Sequence, residues 1–386
     1  MDPVRIGIIG IGNMGSAHAL MLLNGGIKGA ELTAVCDVRA ERRKWASEQF
    51  GQQVDVYAEY ENLLSSERVD GVIIATPHYQ HSDIAMEAFR CNKHVLCEKP
   101  AGVYTKQVRQ MNEEAANSDR VFAIMYNQRT NPVYQKVKDL VSSGELGKIK
   151  RTIWTIDWYR SQSYYDSGTW RATWSGEGGG VLINQCPHQL DLWQWMIGMM
   201  PKRVRAFCSF GKYRDVEVED DVTAYVEYEN GATGLFVTST GVAPETNRFE
   251  IYADKGKLVV EDGKITFWRN RIPESTFNQE WKGGFGVPEN WKCEIPVHGV
   301  ETGHGGILVN WVDAIRFGNE LIAPGEEGLK GLMLSNAMHL STWTDAWVDL
   351  PIDENHYYEK LQERIAHSTY SKQRSESRTL DVEGTF

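Results

Sequence analysis

VRIGIIGIGNMGSAHALMLL, residues 4–23, is the stretch that decides the fold. An apolar, β-branched run of strand length leads into Gly10, Gly12 and Gly15 and then into a helix-forming segment. Gly10 permits a tight turn, Gly12 lets an anion approach bare backbone, and Gly15 lets the helix pack closely on the strand. The N–H groups that begin the helix face the same anion. The stretch therefore predicts a dinucleotide pyrophosphate site. Two further residues of the turn belong to this predicted site, Asn13 and Met14.

A second predicted strand ends directly before Asp37, where a carboxylate meets the adenosine ribose in dinucleotide folds. A carboxylate accepts hydrogen bonds from ribose hydroxyls but repels a 2′-phosphate, so Asp37 favours NAD over NADP as the cofactor. The next two residues, Val38 and Arg39, are included in the predicted cofactor site. The sequence leaves open whether Arg39, Arg42 and Arg43 clamp a phosphate or form the solvated face of a helix.

Length and composition exclude several classes of protein. A chain of 386 residues suits two domains. A net charge of −11 argues against a nucleic-acid partner, because phosphate binding needs a basic surface. The first strand begins too early to leave room for a signal peptide, and no apolar run approaches the ~20 residues of a membrane span. We therefore expect a cytoplasmic protein without a membrane partner. Six cysteines without metal-binding spacing predict neither a disulfide framework nor a metal site.

Two later strands of the first domain also end on polar residues. The apolar run 69–75 ends at Thr76, Pro77 and His78, and ligands bind at the carboxyl edge of parallel strands. We expect these three residues to line the nicotinamide side of the cofactor, although His78 could instead cap the following helix. The next strand leads into Glu98 and Lys99. A lysine ammonium at this edge can stabilise a substrate oxygen as hydride leaves the carbon, whereas a surface Glu–Lys pair is the simpler alternative.

The glycine motif, the acidic residue that ends the second strand and the Glu-Lys-Pro motif after the fifth together resemble the glucose–fructose oxidoreductase, inositol dehydrogenase and MocA (Gfo/Idh/MocA) family. The resemblance implies an NAD(P)-dependent oxidoreductase acting on sugars, inositols or related polyols, with Lys99 as its catalytic lysine. It implies an α/β Rossmann domain, residues 1–126, followed by an α+β domain, residues 127–386, whose C-terminal helices pack back toward the first domain. It also places Glu98 and Asn127 near the cofactor.

The second half of the chain changes its pattern to consecutive alternating strands. Strands without intervening helices predict an antiparallel sheet, and Asp262-Gly263 predicts a two-residue hairpin turn within it. The resemblance agrees, since the family carries a large open, mainly antiparallel sheet in this domain. Members often pair the exposed sheet faces, so we expect a homodimer or homotetramer.

An insertion over 178–193 carries the second set of candidate catalytic residues. Helical spacing places Asn184, His188 and Asp191 along one stripe, and Pro187 is expected to kink that helix. A histidine can exchange a hydroxyl proton near neutral pH. The family pattern, a glycine triplet and then a histidine four residues after an aspartate, assigns this role to His188. Asn184 replaces the usual aspartate and cannot take a proton, so we expect it to orient the substrate.

Aromatic and basic residues crowd the same part of the sequence. Sugars present an apolar C–H face and a ring of hydroxyls, so a sugar pocket combines aromatic rings with polar groups. A glycine-flanked histidine before a later helix is a further candidate. The predicted substrate residues, besides Lys99, Asn184 and His188, are Trp158, Arg160, Trp170, Arg171 and His304.

The sequence thus predicts an NAD-dependent dehydrogenase that converts a secondary hydroxyl of a sugar, polyol or glycoside to a ketone, or the reverse. Two alternatives stay open. One is a redox-neutral enzyme that cycles a tightly bound NAD, and the other is a non-catalytic NAD-binding regulator. The presence of both Lys99 and His188 favours an enzyme.

Overall fold

The computed structural model describes residues 2–370 and residue 372, and this part of the chain forms two sheets. The first sheet is parallel, with the strand order β3-β2-β1-β4-β5-β6. Its strands are β1 Val4–Ile9, β2 Ala30–Cys36, β3 Asp55–Tyr57, β4 Gly71–Ile74, β5 His94–Cys97 and β6 Phe122–Ile124. Its helices are α1 Asn13–Leu23, α2 Ala40–Phe50, α3 Tyr60–Leu64, α4 His81–Arg90 and α5 Thr105–Ala116. The strand order reverses between β1 and β4, which is where such sheets bind ligands.

The second sheet is open and mainly antiparallel, with the order β14-β13-β12-β11-β7-β10-β9-β8-β15. Its strands are β7 Ile149–Asp157, β8 Arg203–Phe210, β9 Glu219–Glu227, β10 Thr233–Ser239, β11 Asn247–Ala253, β12 Gly256–Glu261, β13 Lys264–Asn270, β14 Asn290–Ile295 and β15 Val348–Asp349. The helices of this half are α6 Pro132–Ser142, α7 Gln162–Tyr165, α8 Pro187–Ile197, α9 Glu274–Glu280, α10 Gly303–Phe317, α11 Gly328–Thr344 and α12 Glu354–Ala366.

The predicted fold class is confirmed, a Rossmann sheet followed by a mainly antiparallel sheet. The side chains of β9 alternate between a buried and an exposed face, as predicted. Val222, Ala224 and Val226 are buried, while Thr223 and Tyr225 are exposed on the other face. One pair departs from the antiparallel pattern, since β7 and β10 run parallel. Three elements, β14, β15 and α9, were not predicted. β15 has only two residues, α9 has no buried residue, and β14 is an edge strand of largely exposed residues, so all three carry little apolar signal.

The helix predicted to kink at Pro187 is two separate elements. A π-helical turn, Val181–Gln185, ends before Cys186, and α8 begins at Pro187. Proline is well tolerated at the first position of a helix because its missing N–H has no intrahelical partner there. The prediction of a kink inside one helix was therefore wrong. We expected the polar C-terminal end after about residue 366 to wrap a neighbouring subunit or to stay loose, and most of it, residues 371 and 373–386, lies outside the described residues.

A buried ion pair holds α8 against the segment that directly follows the Rossmann sheet. Arg129, just after β6, donates from Nε and Nη2 to the carboxylate of Asp191 on α8, at 2.8 and 2.6 Å. Its Nη1 also donates to Glu327, at 2.5 Å. The Arg129 and Asp191 side chains are 1% and 0% exposed. Asp191, which lies on the predicted catalytic stripe, thus holds α8 against the turn that directly follows the Rossmann sheet.

We expect Asp191→Ala to lower the free energy of unfolding by about 3–5 kcal/mol, because the substitution removes the buried carboxylate that pairs with two of the guanidinium nitrogens of Arg129. Urea denaturation measures this change. Glu363→Ala is the control, since Glu363 pairs with Lys360 on the surface of α12 and its loss should leave the midpoint nearly unchanged. Equal midpoints for the two variants would contradict the structural role of Asp191.

Candidate active site

The glycine-rich turn between β1 and α1 is built by close backbone contacts. Gly10 has a φ of +91°, and a Cβ added there would lie 2.6 Å from the Ala75 carbonyl oxygen. A Cβ on Gly15 would lie 1.8 Å from the Gly10 oxygen, so a side chain cannot be accommodated. A Cβ on Gly12 would meet nothing within 4 Å. Gly12 therefore borders open space beside the first N–H groups of α1, as a pyrophosphate cradle requires.

Asp37 lies at the end of β2 and bonds to the same turn. Its Oδ2 accepts the Ile11 N–H at 2.9 Å, and its Oδ1 accepts the Arg39 N–H at 2.9 Å. Arg42 donates from Nε to the Ile11 carbonyl oxygen, and Arg43 donates to the Asp37 carbonyl oxygen. Arg42 thus bonds to the backbone of the turn, and Arg43 bonds to the backbone that follows β2. Val38 is 75% exposed at the mouth of this site.

Gly12→Ala and Gly15→Ala should have different effects. We expect Gly12→Ala to keep the wild-type melting temperature but to weaken NAD binding at least tenfold, because the methyl group enters the open cradle. Gly15→Ala should lower the melting temperature, since its methyl group overlaps the Gly10 carbonyl. Thermal unfolding and titration of NADH fluorescence measure the two effects. Unchanged NAD affinity in a folded Gly12→Ala protein would contradict the assignment of the cradle.

The neighbouring strand ends supply buried polar atoms. Thr76 Oγ1 and Asn127 Oδ1 are buried and have no hydrogen-bond partner among the described residues, as a site awaiting a polar ligand requires. Pro77 begins the short turn that presents His78. The Nδ1 of His78 lies 3.1 Å from the Glu177 carbonyl oxygen, so this histidine does not cap the following helix.

A second cluster surrounds Lys99 at the end of β5. Glu98 Oε1 lies 2.7 Å from Nε2 of His18 on α1, and the His18 ring packs 5.7 Å from the ring of His304 on α10. Burial alone raises the pKa of Glu98, but the hydrogen bond and charge of His18 overcome this and lower it to about 2. Burial lowers the pKa of Lys99; nearby Glu98 acts in the opposite direction, and Arg171 acts in the same direction as burial.

Lys99 and His188 come from different domains, and they lie close enough for the Lys99 charge to act on His188. Lys99 Nζ donates to the Asn184 carbonyl oxygen at 3.0 Å, which brings the ammonium to the turn that precedes α8. His188 is 3% exposed, and within the described residues neither of its ring nitrogens has a hydrogen-bond partner. Burial, and then the charges of Lys99 and His304, lower the pKa of His188 well below its ordinary value. The imidazole is therefore neutral at pH 7, with two buried ring nitrogens that could still take a hydrogen bond.

The loop over 158–180 covers this site. Arg171 donates from Nη1 to the Tyr164 hydroxyl oxygen at 2.8 Å, and the Asn184 amide donates to the same oxygen at 3.2 Å. The ring of Trp170 packs 5.4 Å from His78. The Arg160 guanidinium lies between two rings, 5.7 Å from Trp158 and 5.4 Å from Tyr164. The loop therefore brings basic and aromatic groups together beside Asn184.

The comparisons with known proteins agree with this arrangement. Residues 4–126 match the model of an oxidoreductase family with an NAD-binding Rossmann fold, and residues 134–259 match that of the GFO/IDH/MocA C-terminal domain. The chain belongs to the Gfo/Idh/MocA family. It is an oxidoreductase of the sugar and polyol dehydrogenase type with an NAD-binding domain.

Several relatives of this family member have been described. Myo-inositol 2-dehydrogenase of Thermotoga maritima is 27% identical over 270 residues, which cover 68% of this chain and 77% of that protein. Levoglucosan dehydrogenase of Pseudarthrobacter phenanthrenivorans is 22% identical and covers 91% of this chain and 99% of its own. The WlbA dehydrogenase of Chromobacterium violaceum, solved with NADH and UDP-GlcNAcA, is 28% identical with a TM-score of 0.78, covering 92% and 97%.

Three residues of the site in this Gfo/Idh/MocA protein were not predicted. His18 looked like an ordinary helix residue, and Tyr164 was one aromatic among many. Glu177 stands among glycines, and a single acid in a glycine-rich run was the available signal. Its side chain is 1% exposed, and its Oε1 accepts a hydrogen bond from the Asn184 amide. The sequence did not reveal that burial.

The described residues contain no group of three or more His, Cys, Asp or Glu side chains arranged to hold a metal ion. Within the same part of the chain, every helix is too short or too polar to cross a bilayer.

Proposed function

We propose that this protein is an NAD-dependent dehydrogenase that oxidises a secondary hydroxyl of a sugar, polyol or glycoside to a ketone, or catalyses the reverse reaction. The proposal is carried by the contact of Lys99 with the Asn184 carbonyl, one turn from a neutral His188 whose ring nitrogens have no partner in the described part of the chain. Alcohol oxidation needs one group that stabilises the oxygen and another that takes its proton. The names of the inositol and levoglucosan dehydrogenases among its relatives support this substrate class.

In this proposal the two groups have different roles. The Lys99 ammonium faces the substrate oxygen and stabilises the negative charge that develops on it, more strongly in a buried site than in water. His188 accepts the hydroxyl proton on a ring nitrogen, because its lowered pKa keeps it unprotonated at pH 7. NAD, when bound, supplies the hydride acceptor. The fit of this cofactor is supported by the open space at Gly12 and the unpaired atoms of Thr76 and Asn127.

The remaining predicted substrate residues surround the same space. We propose that ring faces of Trp158 and Trp170 contact sugar C–H groups and that Arg160 and Arg171 donate to sugar oxygens. His304 reaches the site from the N-terminal turn of α10, and its electrostatic effect on His188 supports its place there. Asn184 orients the substrate by hydrogen bonds.

A panel of sugars, polyols and anhydrosugars, followed by NADH absorbance, tests the proposal. We expect Lys99→Ala to lower kcat by roughly 10²–10⁴-fold with the best substrate, while NADH binding changes little. The matched control is Lys93→Ala, which removes a partly buried lysine just before the other end of β5. Its turnover should stay near that of wild type. If no compound of the panel reduced NAD, or if Lys99→Ala kept full turnover, the proposal would be wrong.

We also propose a homodimer or homotetramer formed through the second sheet. The open face of β8, β9 and the segment before β15 exposes three aromatic residues, Phe207, Tyr225 and Trp347, by 60%, 38% and 42%. Exposed apolar groups grouped on one face mark interaction surfaces. We expect Phe207→Asp to shift the protein toward the monomer in light scattering coupled to gel filtration. Val300→Asp, at an exposed loop, is the control and should leave the mass unchanged.

We further propose that the protein works in the cytoplasm. All six cysteines are free in the structure, which suits a reducing compartment.

A further inference from the structure

The Asn184 amide is held in one orientation by its neighbours. Its Nδ2 donates to the Tyr164 hydroxyl oxygen and to Glu177 Oε1. An ionised carboxylate can only accept hydrogen bonds, so the NH₂ end of the amide must face Glu177. Both amide hydrogens are then used inside the protein. No described residue donates a hydrogen bond to the other end, Oδ1, and Asn184 is only partly buried.

Glu177 is itself fixed at both oxygens. Oε2 accepts the Ala172 N–H at 2.5 Å, and Oε1 accepts the Asn184 amide. Its side chain is 1% exposed and so is shielded from water. Because both carboxylate oxygens of Glu177 are buried and hydrogen-bonded, Glu177 can act on the substrate only through Asn184, the residue that it holds. The charged and titratable groups that surround it are Arg171, Lys99, Glu219, Tyr165, Lys372 and His78.

We propose that Glu177 is a positioning residue that turns Oδ1 of Asn184 toward the substrate, so that the site at this point takes a substrate hydroxyl as a hydrogen-bond donor. The inference rests on the proposed dehydrogenase function and specifies how it recognises its substrate. With a neutral carboxyl at position 177, the amide could turn over and present an N–H instead. The site would then reject the same hydroxyl donor.

The charge of Glu177 therefore controls substrate affinity. Burial raises its pKa to about 7, although Arg171, the Ala172 N–H and the Asn184 amide lower it. As the pH falls through about 7, Glu177 takes a proton, the amide loses its fixed orientation and KM rises. The pKa of His188 lies well below its ordinary value, so protonation of that base affects kcat only at lower pH. The rise in KM and the effect on kcat therefore occur in different pH ranges.

Exchanging the carboxylate and amide groups of residues 177 and 184 tests the proposal. Glu177→Gln should raise KM about tenfold at pH 8 and remove the dependence of KM on pH near 7. Asn184→Asp should also raise KM more than it lowers kcat, because its carboxylate meets that of Glu177. The double variant restores a donor at 177 and an acceptor at 184, so its KM should return to within about threefold of wild type. Myo-inositol, levoglucosan and D-glucose serve as probes.

Glu217→Gln is the matched control. Glu217 accepts the N–H of Trp174, a residue of the loop over 158–180, at 2.8 Å, but it does not contact Asn184. We expect its KM and pH profile to match those of wild type. Equal melting temperatures of all variants exclude general unfolding. The inference is overturned if Glu177→Gln keeps the wild-type KM and pH profile, or if the double variant has a higher KM than either single variant.

A spectroscopic measurement separates this inference from the proposed function. In protein labelled with ¹⁵N-asparagine, the Asn184 side-chain NH₂ signals, assigned by their loss in Asn184→Asp, should shift with a midpoint near pH 7. Glu177→Gln should abolish that shift. This readout needs no turnover, so it applies even if none of the probes reduces NAD. Signals that do not titrate in the wild type would overturn the positioning role of Glu177.

Discussion

The buried pair of Arg129 and Asp191 is the interaction on which the site depends. Arg129 follows the last strand of the Rossmann sheet, and Asp191 lies one turn after His188 on α8. Their two hydrogen bonds fix the position of α8 relative to the turn that follows β6, the neighbour of β5, and so help to place His188 relative to Lys99. Two charges removed from water are costly unless they are paired and fully bonded, so the pair allows few other positions of α8 against this turn.

The electrostatics around Lys99 follow from burial that is only partly compensated. Burial disfavours its ammonium, and Arg160 and Arg171 disfavour it further, while Glu98 supports it. His18 in turn keeps Glu98 ionised. The Lys99 ammonium has lost much of its hydration, and Glu98 offsets only part of that loss. Such a cation interacts strongly with any nearby oxygen that gains negative charge. Burial, and then the charge of Lys99, keep His188 neutral, so the two groups are electrostatically linked.

Sequence patterns predicted the parts of this protein that local chemistry determines. The steric need for glycine at positions 10 and 15, the carboxylate at 37 and the strand ends before Thr76 and Lys99 follow from a short motif and strand geometry. Sequence patterns did not predict the contacts inside the loop over 158–180 that covers the site. Glu177 is important because Asn184 and Ala172 bond to it, and such contacts are set by tertiary packing. The roles of individual residues in the proposed site stay predictions.

The break between Gln185 and Pro187 explains how a lysine from one domain reaches a backbone group of the other. In an uninterrupted α-helix the Asn184 carbonyl would accept the N–H of residue 188. The chain instead closes a wider turn, with the Cys186 N–H donating to the Val181 oxygen, and α8 then starts afresh at Pro187. The Asn184 carbonyl is thereby left to accept from Lys99. A π-helical turn at this point thus exposes one backbone oxygen for the site and lets Asn184 and His188 point independently.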